Sequence, residues 1–522
     1  MGRIAHFFYF IYSTEMKLKF PILTALAVAM VAFVFASCSS TNEVKTSAPF
    51  IPPPGAITKD TISGTLKGVL LADSTYYMPS SVRINAGDTL LIQHGVKVIM
   101  LNTSLAQNPT GSPEFQVFGT LISEGQQGDP VYLTVPPSLR QYAALTDATS
   151  NSLWGGIQCA GPTTPGAAST GSGDLILKWT HIEFAGGSAS TTDPIVTDGG
   201  SRYAVWFQSP GKNFVMEDSW VTGSTDDPIR LSGGQVYLMR NVVECTAFNS
   251  GDFNMKSGTV GDIAYNLFIG IATNGSKLAN TGGVNPECNV NIYNNTYIND
   301  GWRCTKTGRA GSIDIEAGAR GVVYNNLIVN CRTGYRMLGD ASVGDTANTV
   351  QDYDFYYGSN DTIVTYFNPG PSNVGGIQTI GTHDVHGAAG THNPKFVNYD
   401  VDQFNAQAST LYSWPTPWSA QKNYAAFNVM RSVDEKGNQR FTDVPAGFKS
   451  DFHLATASPC INGAYSGTVK SHTGSTLPIP LYPTLAGASI KSASNLYGAD
   501  YSTLGLGKDF GAYQVDNSGN QQ

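Results

Sequence analysis

Four runs in the middle of the chain repeat one pattern of apolar and polar positions. They are VYLMRNVVEC ending at Cys245, DIAYNLFIG ending at Gly270, NIYNNTYIN ending at Asn299 and VVYNNLIVN ending at Asn330. In each, alternating apolar residues lead to an asparagine and then resume. Aligned on that residue the anchors are Asn241, Asn266, Asn295 and Asn326, spaced 25, 29 and 31 residues apart. FVMEDSWVTG extends the series upstream through Ser219, and LILKWTHIEFAG adds Thr180. Period-two alternation in short runs means strands, and their return every 22 to 31 residues without intervening helical pattern means one coil per repeat. An asparagine at the same point of each coil has a mechanical use: its amide can bond backbone groups at a bend and its neighbours one coil above and below. The expected fold class is therefore all-β, a single-stranded right-handed parallel β-helix (solenoid) with a loop-rich C-terminal part. Asn241, Asn266, Asn295 and Asn326 are its structural ladder.

Composition agrees with a turn-rich extracytoplasmic protein. Only 13% of the residues are charged, and there are 57 glycines. The net charge of −8, without a basic tract, argues against nucleic acid as a partner. At the start, MKLKF from Met16 gives a short basic region, and residues 20–35 are almost wholly apolar. That run is short for a membrane span and suits a signal sequence. It ends in FVFASCSS, and a polar, proline-bearing stretch follows. The expected organisation is a lipoprotein-type signal peptide over 1–37, a flexible tether over 38–58, the β-helix over 59–345, and further coils with long loops and a closing segment over 346–522. Six other cysteines show no metal-finger spacing; they read as buried thiols, with one bridge conceivable within 288–331.

These segments resemble a known family. SSVRINAGDTLLIQHGVKVIML, FQVFGTLISEGQQGDPVYLTV, WGGIQC, LKWTHIEFAGG and STDDPIRLSGGQV are similar to coils of right-handed β-helix surface lipoproteins of Bacteroidetes-type bacteria, within the pectate-lyase-like superfamily. HNPKFVN, DFHLATASPCING and DFGAYQ are similar to closing segments of such proteins. The small residues before Cys38 resemble a lipobox, which implies acylation of Cys38 and an outer-membrane, cell-surface location through a lipid anchor. The resemblance implies architecture; function has to come from a site.

The candidate site is the stretch STDDPIRLSGG. Counted back from their anchors, Asp227 and Asp252 each stand 14 residues ahead, so they should stack on adjacent coils. Carboxylates one strand spacing apart repel by about 3 kcal/mol at an effective dielectric near 20. Asp226, Asp227 and Asp252 offer hard oxygen ligands suited to Ca²⁺, while Arg230 and Lys256 offer salt-bridge partners instead. These five residues are the expected glycan contacts. No complete catalytic set is legible: hydrolases of this fold need separated carboxylates with a histidine and an arginine–lysine element, and lyases need a positioned base beside Ca²⁺. The expectation is non-catalytic binding or display of a polysaccharide or surface glycan. The alternatives are a polysaccharide lyase or glycoside hydrolase, and a structural or adhesive surface protein. His383, His386 and His392 read as an exposed polar loop rather than a metal site.

Overall fold

The computed structural model describes residues 55–104, 107–108, 111–142, 153–160, 171–191, 193–195, 202–246, 253–282, 285–302, 311–337, 343–367, 381–402, 431–434, 436–447, 449–485 and 504–522. Cys38 and the signal-like segment lie outside them, as does Asp252. Among the described residues no helix is long and apolar enough to cross a membrane.

The chain winds as a parallel β-helix with three strands in each coil. One coil runs through Val205–Gln208, Asn213–Glu217 and Trp220–Ser224. Each of these pairs in parallel with the equivalent strand one coil on, up to Phe355–Tyr357 in the last full coil. Alternation decides which residues face inward. Val205, Phe207, Ile229, Leu231, Phe253 and Met255 are fully buried and stack along the interior. Rings stack in the same direction, with Phe268 and Tyr297 parallel at 4.9 Å between centroids. A continuous apolar column of this kind is the main stabilising term, because a single coil cannot bury its own apolar face.

The bend between the second and third strands carries the asparagines. Asn241 donates its backbone N–H to Asn266 Oδ1 at 2.9 Å, Asn266 to Asn295 Oδ1 at 3.0 Å, and Asn295 to Asn326 Oδ1 at 3.0 Å. Each side-chain amide also donates to the next Oδ1 and to a carbonyl of the preceding coil, three residues before that coil's ladder position: Met216, Leu238, Ile263 and Ile292 in turn. The column starts earlier, where the N–H of Thr180 reaches Ser219 Oγ and that of Ser219 reaches Asn241 Oδ1. It passes to acids at the far end: Asn326 donates both its N–H and its amide to Asp354 Oδ1, and the Asp354 N–H donates in turn to Asp384 Oδ1 at 2.7 Å. The residue before each ladder position has a left-handed backbone: Trp179, Asp218, Arg240, Tyr265, Asn294, Asn325 and Tyr353. That conformation costs an L-residue about 1 kcal/mol, and the ladder bonds hold it.

The described C-terminal residues are loop-rich. Among them, parallel coiling beyond Phe355–Tyr357 is seen as a bridge from Phe355 to Val385. The described residues after that form an antiparallel pair, Phe396–Asn398 with Asp451–Leu454, and segments that run back over earlier coils. Asp434 accepts a hydrogen bond from Tyr132, Arg440 pairs with Glu244, and Tyr482 donates its N–H to Asp262 at 2.6 Å. The closing motifs in this region are apolar anchors: Phe396, Phe452, Cys460 and Phe510 share one buried cluster with Leu327 and Phe355. Cys288 and Cys331 are free thiols, so no bridge joins them; Cys159 and Cys460 are free and buried as well.

Candidate functional site

The outward positions of the first strand in each coil form a row. Trp206, Arg230, Asn254, Lys277, Asp314 and Arg336 are register partners, one from each successive coil. Period-two alternation puts them there, because their sequence neighbours fill the interior. At the late end the row is closed. Arg336 grips Asp314 with two bonds, 2.7 Å from Nε and 2.6 Å from a terminal nitrogen, and neither side chain is more than 2% exposed. Lys277 Nζ lies 2.6 Å from Glu316 in similar burial.

At the early end the row opens. Tyr203, Trp206, Arg230, Ser232 and Lys256 are half-buried. Tyr203 and Trp206 meet edge to face at 5.8 Å, and the Arg230 guanidinium lies over the Tyr203 ring at 4.9 Å. The buried Trp206 Nε1 has no hydrogen-bond partner among the described residues.

Asp226 and Asp227 occupy the turn that leads into this strand. Asp226 Oδ1 accepts the Asp227 N–H at 2.8 Å, and the Ser224 hydroxyl donates to the Asp226 carbonyl. The Asp227 carboxylate is 1% exposed; its Oδ2 accepts from Arg230 at 3.2 Å and from Asn254 at 2.8 Å. Its Oδ1, and Oδ1 of Asn254, have no hydrogen-bond partner among the described residues. Charge compensation for Asp227 thus comes from Arg230. Burial works against the Arg230 charge, but Asp227 and Tyr203 outweigh it and raise its pKa. Lys256 is pushed down to about 8, first by burial, then by Lys277 and Arg230, with Glu316 and Asp227 opposing.

The expected stacking of Asp227 on Asp252 rests on equal counts from the ladder, and the register does not keep those counts. Ile229 pairs with Phe253, an offset of 24, whereas Gly234 pairs with Thr259, an offset of 25. A bulge between Ser232 and Gly234 takes up the difference. Arg230 therefore faces Asn254, and Ser232 faces Lys256. Of the five expected contacts, Asp227 and Arg230 touch, Asp226 adjoins them through the Asp227 backbone, and Lys256 stands one coil on. The residues the sequence did not single out as a set are Tyr203, Asn254 and Lys277, whose signal was the outward strand phase upstream of the bulge.

His383, His386 and His392 do not gather. His383 bonds Asp352 at 2.6 Å and stacks on Tyr353 at 4.5 Å, while His392 lies edge-on to Phe355. Among the described residues one grouping has metal-ligating geometry, and it lies elsewhere: Asp73, His94 and Asp129.

Fold and face together define a parallel β-helix whose outer strand surface carries a mixed aromatic and charged row. No family model, curated protein or solved structure matches the chain.

Proposed function

We propose that this protein binds glycan along the outer face of the β-helix, in the half-buried stretch from Tyr203 and Trp206 to Arg230 and Lys256, and is held at the cell surface by a lipid on Cys38. One observation carries the binding reading. Half-buried aromatic faces stand beside a cation, an amide and two buried oxygens that have no hydrogen-bond partner among the described residues, on a regular strand surface. Sugar rings combine apolar faces with dense hydroxyls, and such a surface meets both demands. The anchoring half rests on the apolar run and the lipobox-like FVFASC.

A glycan panel screened by calorimetry tests the binding. Trp206→Ala and Arg230→Ala should each weaken the best ligand by about tenfold. Unchanged affinity in both variants would remove the site from consideration. Cys38→Ala, followed by membrane fractionation, tests the anchor; a variant that stays membrane-bound contradicts it.

A second reading, β-elimination on an acidic polysaccharide, has Lys256 in its favour. An amine held near pH 8 is partly unprotonated at neutral pH and can serve as a base. Release of unsaturated product, abolished by Lys256→Ala, would replace binding with turnover.

A further inference from the structure

The geometry points to a divalent transition-metal site at the N-terminal end of the β-helix, formed by Asp73, His94 and Asp129 and contested by Lys436. It is independent of the glycan face. The three side chains offer one ligand atom each, and these atoms lie within 4.8 Å of one another. His94 Nδ1 already sits 2.7 Å from Asp129 Oδ2. Ligands held about 2.1 Å from one zinc ion stand about 3.5 Å apart, so small side-chain rotations complete the set. One imidazole with two carboxylates suits zinc or a neighbouring first-row ion, and it leaves further positions open to water.

The local backbone keeps room for this arrangement. Gly95 lies two residues before Lys97, which pairs in register with Tyr132, then His181, then Trp220. The same bend position in later coils is filled by Trp179 and Asp218, at φ of 44° and 49°. Gly95 has φ of 69°, so the left-handed backbone alone does not demand glycine there. A side chain at this position would instead have to push the two carboxylates aside. A Cβ at Gly95 would stand 2.3 Å from Asp73 Oδ1 and 2.8 Å from Asp129 Oδ2. The two carboxylates converge over a residue that lacks a side chain.

Lys436 supplies the counter-charge in the metal-free protein, with Nζ 2.6 Å from Asp129 Oδ1. It arrives from a segment 307 residues away. Both the lysine and the imidazole are partly exposed, at 39% and 37%, so an ion can enter without unfolding the coil. Metal binding would therefore displace an ammonium group, and removing that group should tighten binding.

The test is calorimetric titration of the full chain with zinc chloride, and with cobalt chloride followed by visible absorption. One equivalent should bind. His94→Ala and Asp129→Asn should weaken binding by about tenfold or more, His383→Ala should leave it unchanged, and Lys436→Gln should strengthen it. Thermal melts in chelator check that each variant folds. If His94→Ala fails to fold, the Lys436→Gln and Gly95→Ala variants still decide, since the first should tighten and the second abolish binding. No binding, or binding indifferent to His94 and Lys436, overturns the site.

Discussion

Asn326 gives both its backbone N–H and its side-chain amide to a single oxygen of Asp354, at 2.8 and 3.0 Å. The ladder thereby passes from side-chain amides to a carboxyl group. Asp354 is raised well above the usual carboxylate range, by burial first and by Asp384 next. The Asp354 N–H in turn donates to Asp384 Oδ1 at 2.7 Å, so the column passes on to a second acid, and a charge on Asp354 is costly there.

An interruption in the middle of the ladder should be severe. Asn295→Ala removes the acceptor for the Asn266 N–H and the donor to the Ile263 carbonyl, both buried. Buried polar groups left unpaired cost about 1–3 kcal/mol each. The expected loss is about 3 kcal/mol in a denaturant midpoint measured at constant slope. A loss below about 1 kcal/mol would mean that solvent reaches the corner.

The Arg336–Asp314 pair predicts an asymmetry between single and double changes. Arg336→Met strands a carboxylate that is 2% exposed, and breaking such a pair costs about 3–5 kcal/mol. Replacing both partners, Arg336→Met with Asp314→Leu, should recover most of that. A double variant no more stable than the single one would show that the pair is held by other neighbours, such as Asn274, whose Oδ1 accepts from Arg336 at 3.3 Å.

Lys256 predicts a pH effect with a definite sign. Its folded pKa of about 8 lies below the ordinary lysine value of 10.5. Between those values the unfolded chain binds more protons, so this residue makes stability rise with pH there. The stability difference between the native protein and Lys256→Gln should therefore change in the native protein's favour from pH 8 to pH 10. A flat difference would place the amine in water.

Much of the fold was legible because a β-helix repeats its demands. Each coil needs apolar residues in phase and a bonding side chain at the bend, and Asn241, Asn266, Asn295 and Asn326 declare both. The early ladder is quieter, since Thr180 and Ser219 do the same work with hydroxyls. The acid stack was counted through a bulge, which adds one residue between the partners of Ser232 and Gly234, and one residue is enough to change the face; Asp252 itself lies outside the described residues. The pairing of Asp227 with Arg230 is local, three residues apart, and was visible as an alternative. The Asp73, His94 and Asp129 grouping was not, because its spacings of 21 and 35 residues follow no repeat and depend on the winding. The returning C-terminal segments are also invisible to periodicity, since they pack by single anchors such as Phe510 and Tyr482.

One of those anchors supplies the last prediction. Asp262 is fully buried beneath the returning segment and accepts the N–H groups of Leu481 and Tyr482 and the amide of Asn291. Burial raises its pKa to about 7, against the lowering effect of those three bonds. A carboxyl with a raised folded pKa favours folding while it is protonated. Its contribution is fully present below about pH 4, the unfolded value, and is lost as the pH climbs toward 7. The segment around Tyr482 should accordingly hold more tightly at pH 5 than at pH 7.5, which amide hydrogen exchange of residues 477–485 can follow once intrinsic rates are corrected for pH. Asp262→Asn cannot ionise, so it should abolish the pH dependence. It also presents an amide to the Tyr482 N–H, so the segment should be looser than native at pH 5. Exchange that is equally protected at both pH values in the native protein would show that Asp262 titrates as an ordinary carboxylate and that its three donors outweigh its burial.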